Sequence, residues 1–166
     1  KIFFSTDDQH IIALSSNSSL EIIRIQNGKK VRVISSQEQK AISLVINPGG
    51  KFAITGGEDE TIRIWDTLRT SSQGVLRGHL GPVSGLALNR GGEILASSSF
   101  DGTIILWNIE EQKLINSSKI LGKGGVKSLS FHPEERFIVL GGKDGSVKFL
   151  SVPDLKLVFN VAAHKK

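Results

Sequence analysis

Short apolar segments separated by turn residues recur along the whole chain. In the clearest stretch, apolar segments at 83–88, 94–97 and 103–107 alternate with turns that contain Asn89 and Asp101. Segments of this length between turn residues are typical of β-strands, and Asn, Asp and Gly accept the positive φ angles that tight hairpins require. No segment spaces its apolar residues three, four and seven positions apart over several turns, as an amphipathic helix does. The pattern predicts an all-β fold and argues against a helical repeat.

The strands and turns repeat with a fixed period. The turn that begins at Asn47 is followed by equivalent turns at Asn89, 42 residues later, and at His132, 43 residues after that. Ser5 begins a fourth equivalent turn, 42 residues before Asn47. A second set of turns carries Asp59, Asp101 and Asp144 with the same spacing of 42 and 43 residues. A period between about 20 and 50 residues is the signature of a repeat architecture.

Each copy of the repeat holds four predicted strands, which is the strand number of a β-propeller blade. The third strand of each copy is the most apolar, as expected for a strand that is covered on both faces. We predict blades over 1–34, 41–77, 83–118 and 126–161, with 162–166 as the start of a further repeat. The predicted inner strands are 1–4, 41–46, 83–88 and 126–131, the second strands 11–14, 52–55, 94–97 and 137–140, the third strands 20–25, 61–65, 103–107 and 146–150, and the outer strands 30–34, 74–77, 113–118 and 156–161.

The third copy resembles the WD-repeat (WD40) family in several short motifs. These are Arg77-Gly78-His79, Leu95-Ala96-Ser97, Phe100-Asp101-Gly102-Thr103 and Trp107-Asn108, while the second copy ends in the literal dipeptide Trp65-Asp66. The resemblance covers nearly the whole chain, because four aligned copies account for residues 1 to 161. It implies a ring of about seven blades. Four copies cannot fill such a ring, so we expect an open part of a larger WD-repeat propeller.

The resemblance also implies a buried hydrogen-bonded tetrad in each complete blade. In such a tetrad an indole N–H, a hydroxyl, an imidazole and a carboxylate satisfy one another, which fixes one geometry. The same residue types could be read as a hydrolase triad, but nothing in the sequence supplies an oxyanion hole. The expected tetrad is His79, Ser97, Asp101 and Trp107. A partial tetrad keeps Thr55, Asp59 and Trp65 in the second copy, where Gln37 replaces the histidine. The fourth copy keeps Asp144, with Gly122 and Leu150 in place of the histidine and the tryptophan, and the first copy retains little beyond Asn17.

A contact surface for partners is implied at the end of the blades that carries the Gly-His loops and the turn aspartates. Phe100 is its most prominent residue, since an aromatic side chain on a tight turn has no strand neighbour to cover it. The alternative is that Phe100 folds back over the edge of its own blade. Lys127 and Lys143 favour an acidic partner or phosphates. The predicted partner-binding residues are Lys40, Ile42 and Glu58, then Pro82, Ser84 and Phe100, then Gly125, Lys127 and Lys143.

Composition narrows the chemistry. The 166 residues include no Cys, which excludes disulfides, Cys-ligated zinc and a thiol nucleophile. The formal net charge is +5, but the Lys and Arg residues are spread along the whole chain rather than clustered. The four His residues fall on separate elements, so no pair has metal-ligand spacing. We expect no metal and no cofactor.

These features predict a non-catalytic scaffold that binds other proteins as a subunit of a multi-protein complex. The alternative is a ribonucleoprotein, ribosome-assembly or chromatin-associated subunit that contacts nucleic acid through its basic surface. An enzyme is the least favoured hypothesis, and no small-molecule substrate is expected. The sequence lacks an apolar run of about 18 residues and a signal-peptide pattern in residues 1 to 20, so we expect no membrane partner. The expected location is intracellular, in the cytoplasm, the nucleus or the nucleolus.

Overall fold

The computed structural model describes residues 2–5, 8–15, 19–35, 40–67, 72–120 and 125–162. Within these residues the chain forms four sheets, each of four antiparallel strands in chain order. The first sheet holds β1 (Ile2–Phe4), β2 (His10–Leu14), β3 (Ser19–Arg24) and β4 (Lys30–Ser35), and the second holds β5 (Ala41–Ile46), β6 (Phe52–Gly57), β7 (Ile62–Asp66) and β8 (Ser72–Leu76). The third holds β9 (Val83–Leu88), β10 (Ile94–Ser99), β11 (Thr103–Asn108) and β12 (Lys113–Lys119), and the fourth holds β13 (Val126–Phe131), β14 (Phe137–Gly142), β15 (Ser146–Ser151) and β16 (Leu157–Ala162).

The all-β prediction and the order of strands within each copy are confirmed by these sheets. Individual strand ends differ by one or two residues, because a ladder of backbone hydrogen bonds rather than apolar content sets where a strand stops. The outer strand predicted at 74–77, for example, is Ser72–Leu76. In the described part of the chain no strand of the first sheet is hydrogen-bonded to the fourth, so the sheets form an open series. The division into blades, with a further repeat from 162, stays a prediction, and residues 163–166 lie outside the described residues.

Apolar side chains between neighbouring sheets form the core. One buried cluster joins the second and third sheets and includes Ile54, Ile64, Leu86 and Leu95. Similar clusters join the first sheet to the second and the third to the fourth. Strands covered on both faces lose the alternation of polar and apolar residues, and all five residues of β7 are buried. Burial of apolar area between sheets is therefore the main term that stabilises the described series.

The inner strands β5, β9 and β13 lie side by side along one edge of the series. Ser43 Oγ of β5 donates a hydrogen bond to the Val83 carbonyl oxygen of β9 at 2.9 Å. A β-carbon at Gly56 would lie 2.6 Å from Val83 Cγ1, so only glycine leaves room for this valine. The absence of a side chain at Gly56 thus sets how closely the second and third sheets approach.

Each sheet has two ends that carry different turns. We call one the aspartate end, because it holds the turns of Asp59, Asp101 and Asp144 together with the loop 77–82. The opposite end holds the turns at 47–51, 89–93 and 132–136. The described residues include no helix, hence none that is long and apolar enough to cross a membrane. The predicted tetrad and the predicted partner-binding residues lie in the second, third and fourth sheets and in the loops and turns of their aspartate end.

Candidate functional site

A chain of hydrogen bonds runs through the interior of the third sheet. Trp107 Nε1 on β11 donates to Ser97 Oγ on β10 at 2.8 Å. The same Ser97 oxygen lies 2.7 Å from His79 Nε2, which the loop 77–82 delivers to the sheet. All three side chains are buried. The structure therefore brings together the three interior members of the predicted tetrad.

Thr103 connects the histidine to the aspartate. His79 Nδ1 lies 2.7 Å from Thr103 Oγ1, which in turn donates to Asp101 Oδ1 at 2.6 Å. His79 Nδ1 and Asp101 Oδ2 are 3.8 Å apart, too far for a direct hydrogen bond. Sequence reasoning missed Thr103 as a fifth member. A hydroxyl two positions after the turn aspartate was the available signal, since it recurs at Thr61, Thr103 and Ser146.

The donors and acceptors of this chain fit a neutral imidazole. Thr103 uses its hydroxyl proton on Asp101, so its oxygen accepts from His79 Nδ1–H, and Nε2 is then free to accept from Ser97. Burial lowers the pKa of His79 to about 4, against the opposing charge of Asp101. Burial alone would raise the pKa of Asp101, but hydrogen bonds from Thr103 and from the Leu80 backbone N–H bring it below its ordinary value. A neutral histidine and an ionised aspartate satisfy every member of the chain.

This arrangement is unsuited to nucleophilic catalysis. Ser97 has no exposed surface, so no substrate can reach its hydroxyl. Its oxygen already accepts the Trp107 indole N–H, and it also lies 3.3 Å from the Ile105 carbonyl oxygen. A nucleophile needs an open approach and a free lone pair. The role of the network is structural: it holds β10, β11 and the loop 77–82 in one geometry.

The second sheet carries part of the same arrangement. Trp65 Nε1 donates to Thr55 Oγ1 at 2.8 Å, and Thr61 Oγ1 donates to Asp59 Oδ1, also at 2.8 Å. Arg63 Nη2 lies 3.4 Å from Asp59 Oδ2. The Arg63 guanidinium thus lies beside the turn aspartate in the second copy, where the sequence has glutamine in place of the tetrad histidine. That position, 37, lies outside the described residues.

The fourth sheet replaces the buried network by apolar residues and an ion pair. Leu140 and Leu150 take the positions of Ser97 and Trp107 and are fully buried. Nearer the turn, Lys148 Nζ donates to Asp144 Oδ2 at 3.3 Å and to Ser146 Oγ at 2.8 Å. Hydrogen bonds from Ser146 and the charge of Lys148 lower the pKa of Asp144 to about 2. Position 122, where the histidine would stand, lies outside the described residues.

The predicted partner-binding residues form equivalent backbone pairs in three sheets. The Glu58 N–H donates to the Lys40 carbonyl oxygen at 2.9 Å, and the Phe100 N–H donates to the Pro82 carbonyl oxygen at 3.0 Å. The Lys143 N–H and the Gly125 carbonyl oxygen make the corresponding contact at 3.4 Å. In each pair, the residue just before the turn aspartate is bonded to the residue just before the inner strand of the same sheet. The members that follow on the inner strands are Ile42 and Ser84, which are partly buried, and Lys127, which is exposed.

Phe100 is 51% exposed, and its ring contacts the neighbouring sheet. A β-carbon at Gly125 would lie 2.5 Å from Phe100 Cδ1, so the ring occupies the space that a side chain there would need. Gly125, which directly precedes β13, therefore covers one side of the Phe100 ring. Leu80, which sequence reasoning missed, is 84% exposed nearby, and its N–H donates to Asp101 Oδ2 at 2.7 Å. Its position directly after Gly78-His79 was the available signal.

Charges at the aspartate end are paired in the second sheet and less so in the fourth. Lys40 Nζ lies 2.8 Å from Glu58 Oε1, so this predicted cation and anion neutralise each other. Lys127 and Lys143 line one cavity of about 460 Å³ together with the Asp144 turn. Among the described residues, no group of three or more His, Cys, Asp or Glu side chains is placed to hold a metal ion. The exposed character of this end is thus apolar at the third sheet and cationic at the fourth.

The comparisons with known proteins agree with this geometry. The family model "WD domain, G-beta repeat" matches residues 28–66, 70–108 and 116–150. The chain is 30% identical over 136 residues to the periodic tryptophan protein 2 homolog of Schizosaccharomyces pombe, covering 81% of this chain and 16% of that protein. It is 28% identical over 116 residues to the U3 snoRNP-associated protein-like EMB2271 of Arabidopsis thaliana, covering 70% of this chain and 24% of that protein.

A solved structure shares the fold. The structure of U3-55K superposes on this chain with a TM-score of 0.83 at 23% sequence identity, covering 95% of this chain and 50% of that chain. The chain thus spans half of the solved chain and a quarter or less of the two relatives. The family model covers more than half of the present sequence, and its three matches contain the tetrad residues of the second and third sheets. The chain therefore belongs to the WD-repeat family.

Proposed function

We propose that this chain is a non-catalytic scaffold that holds other proteins of a multi-protein complex. The observation that carries the proposal is made at the third sheet, where the polar side chains of the tetrad are buried and large apolar side chains are exposed. The side chains of His79, Ser97 and Trp107 are buried and hydrogen-bonded to one another. Leu80 and Phe100, by contrast, are exposed. Exposed apolar side chains on a rigid support are typical anchors of protein interfaces.

The predicted partner-binding residues support a surface with more than one kind of contact. The backbone pairs of Lys40 with Glu58, Pro82 with Phe100 and Gly125 with Lys143 repeat one arrangement in three neighbouring sheets. Each sheet therefore presents the residues of its own sequence at equivalent places. A repeated scaffold with varied exposed residues suits the binding of several different proteins.

A second candidate function is contact with nucleic acid in a ribonucleoprotein or chromatin-associated complex. The formal net charge of +5 favours it, and one relative is named as U3 snoRNP-associated. Cations that neutralise phosphates release counterions, so such binding weakens steeply as salt rises. The wide spread of Lys and Arg along the chain favours the protein-binding function over this one.

The proposal places the chain inside the cell, in the cytoplasm, the nucleus or the nucleolus. It assigns other proteins as partners and assigns no membrane, small-molecule substrate or cofactor. A WD-repeat fold by itself does not select among partners, because function resides in the exposed residues that the fold carries.

Cross-linking of the protein in its native complex, before and after nuclease digestion, tests this function. We expect cross-links to defined proteins that survive nuclease and change little between low and moderate salt. Loss of every protein cross-link after nuclease digestion would support the nucleic-acid function instead. A protein that purifies alone under all of these conditions would contradict both.

A further inference from the structure

A cavity of about 370 Å³ lies between the first and second sheets, at the end opposite the aspartate end. Its lining includes Ile12, Ile22, Val31, Arg32, Lys51 and Thr67. We infer that this cavity binds a protein segment in which an aliphatic side chain lies beside a carboxylate. The inference rests on the proposed scaffold function and assigns a site and a ligand chemistry to one partner.

The cavity is present because Thr67 does not fill the space between its sheet and the preceding one. Ile109 and Val152 occupy the position of Thr67 in the third and fourth sheets, since all three N–H groups donate to the preceding turn of their own sheet at 2.9 to 3.0 Å. Ile109 and Val152 pack into the apolar clusters between neighbouring sheets. Thr67 instead donates its hydroxyl to the Gly50 carbonyl oxygen at 2.8 Å. A space that is apolar and filled at two sheet boundaries is thus open at the first.

Aliphatic side chains form the floor of the cavity. Ile12 on β2 lies opposite Ile22 on β3, and both belong to the buried cluster that joins the first and second sheets. Val31 on β4 is 47% exposed and forms a wall beside the solvent. An aliphatic side chain of a partner that enters the cavity would cover these residues and release water from apolar surface. The floor therefore favours a group the size of a Leu, Ile or Val side chain.

Arg32 places a cation at the rim of this floor. Its Nη1 donates to the Thr67 carbonyl oxygen at 3.4 Å, so the guanidinium extends from the first sheet to the second. A guanidinium carries five N–H donors and can bind a carboxylate at the same time. The equivalent positions on the outer strands of the other three sheets hold the uncharged residues Gly74, Asn116 and Phe159. This charge is therefore particular to the boundary that holds the cavity.

Lys51 adds a second cation to the same rim. It is exposed, and its Nζ lies 5.1 Å from the centre of the Phe52 ring. Among the described residues that line the cavity, none carries a carboxylate. A carboxylate of the partner would therefore meet a guanidinium and an ammonium group without an opposing acid.

A protein segment fits this cavity better than a free small molecule or RNA does. Small-molecule sites cover most of the ligand surface, whereas the exposed Val31 and Lys51 leave one side of this cavity open. A protein segment gains further contacts outside the cavity and does not need to be enclosed. RNA bases stack mainly on aromatic rings, and the described lining residues include no Phe, Tyr or Trp. An aliphatic residue next to Asp or Glu uses both the floor and the rim.

Selection from a display library of random short peptides tests the inference on the intact protein. Peptides are kept when they bind the wild type and discarded when they also bind Val31→Asp, which places an acid on the apolar wall. We expect the retained pool to be enriched in Leu, Ile or Val next to Asp or Glu. The retained peptides should bind Val33→Asp as they bind the wild type, because Val33 lies on the same strand, is equally exposed at 48% and does not line the cavity.

A double-mutant cycle then tests the contact between Arg32 and the peptide carboxylate. Arg32→Gln should weaken binding at least about tenfold, as should replacement of the peptide acid by its amide. In Arg32→Gln the amide replacement should have little further effect, because groups in contact are not additive. Arg90→Gln is the control, since it removes an exposed arginine from another turn of the same end. It should bind as the wild type does, and equal melting temperatures show that each variant is folded.

Four outcomes would overturn the inference. One is a pool without acidic enrichment, or no peptide that distinguishes the wild type from Val31→Asp. Another is an amide replacement whose effect is the same in the wild type and in Arg32→Gln. The third is 4-methylpentanoate binding as tightly as the peptides do, which assigns the cavity to a small molecule. The fourth is displacement of the peptides by an oligouridylate whose own binding is lost in Arg32→Gln. The scaffold function fails separately, when cross-linking of the native complex finds no protein partner.

Discussion

The third and fourth sheets share strand order and turn position, yet their interiors are built differently. In the third, a polar chain from Trp107 to Asp101 passes through the core. In the fourth, Leu140 and Leu150 occupy the interior and charge is confined to the Asp144 turn. A buried polar chain stabilises one arrangement only when every member is satisfied, whereas apolar residues stabilise several similar ones. The third sheet is therefore the better-defined support for exposed side chains.

The comparison also shows two ways to hold a turn aspartate. In the third sheet Asp101 receives the hydroxyl of Thr103, which accepts from a neutral histidine. In the second and fourth sheets Thr61 and Ser146 make the same hydroxyl bond to the aspartate. What differs there is a cation four residues after the aspartate, Arg63 or Lys148, which lies beside it. The position in the third sheet that corresponds to these cations is Ile105, a buried apolar residue. Among these three sheets, the described residues place a histidine at this end of the third and a cation beside the aspartate of the other two.

The largest expected effect is truncation of the indole. Trp107→Ala should lower the free energy of unfolding by about 3 to 5 kcal/mol, because it leaves a cavity and removes the donor to Ser97. Chemical denaturation monitored by circular dichroism measures it. Leu150→Ala is the matched change in the fourth sheet and should cost less, about 2 to 4 kcal/mol, since no hydrogen bond is lost. Equal losses of unfolding free energy in both variants would show that the hydrogen-bonded chain adds no stability beyond that of packing.

Acid should weaken the third sheet through His79. The folded protein holds the pKa of His79 at about 4, below the ordinary value of 6.5, so the unfolded state binds its proton first. Stability from this group is fully present above pH 6.5 and is lost as the pH falls toward 4. At pH 4 the free energy of unfolding should have fallen by about 3 kcal/mol. Denaturation across this pH range measures it.

His79→Gln is the control for the acid effect, because glutamine does not titrate. The difference in unfolding free energy between wild type and this variant should shrink as the pH falls from 6.5 to 4. Stability contributed by Asp144 lies in a different window, lost only as the pH falls from 3.8 toward its folded value of about 2. A difference that stays constant across pH would contradict a buried neutral His79.

Removing the central hydroxyl gives an intermediate effect. Ser97→Ala should cost about 1 to 3 kcal/mol, because the Trp107 N–H and His79 Nε2 both lose a buried partner. Thermal unfolding followed by calorimetry measures the change. Ser130→Ala, on an exposed position of β13, should leave stability within about 0.5 kcal/mol. A neutral Ser97→Ala would mean that the chain of hydrogen bonds is not needed to stabilise the sheet.

The smallest expected effect concerns the ion pair of the fourth sheet. Lys148→Met should change the free energy of unfolding by no more than about 1 kcal/mol, because methionine fills similar volume and the half-exposed Asp144 stays solvated. Denaturation at low and high salt measures it, and the wild type should lose the same small amount in high salt. A loss above about 2 kcal/mol would mean that the ion pair contributes as much to stability as the buried hydrogen-bonded chain of the third sheet does.

The sequence predicts the fold well because the repeat supplies several independent copies of one signal. Turn residues such as Asn47, Asn89 and Asp101 recur at one period, and their spacing leaves room for only four strands in each copy. The strand ends differ slightly, as at Ser72, because apolar content does not report where the hydrogen-bond ladder stops. Local periodic information thus determines the architecture.

The site was predicted less completely, because its missing members depend on contacts between elements. Thr103 was overlooked although it is the link between His79 and Asp101. Leu80 was overlooked since exposure of a loop leucine cannot be read from the sequence, and the cover that Gly125 gives to Phe100 arises between two sheets. Motif spacing identifies residue types, whereas burial and contacts across sheets depend on how distant parts of the chain pack together.

Amide hydrogen exchange of the intact protein tests most directly whether the third sheet is the rigid support of the exposed residues Leu80 and Phe100. We predict that β10 and β11 exchange more slowly than β14 and β15, and that the Leu80 N–H, which Asp101 protects in the wild type, exchanges faster in Asp101→Ala. Equal protection of the third and fourth sheets, or a Leu80 N–H that stays protected in Asp101→Ala, would contradict the account.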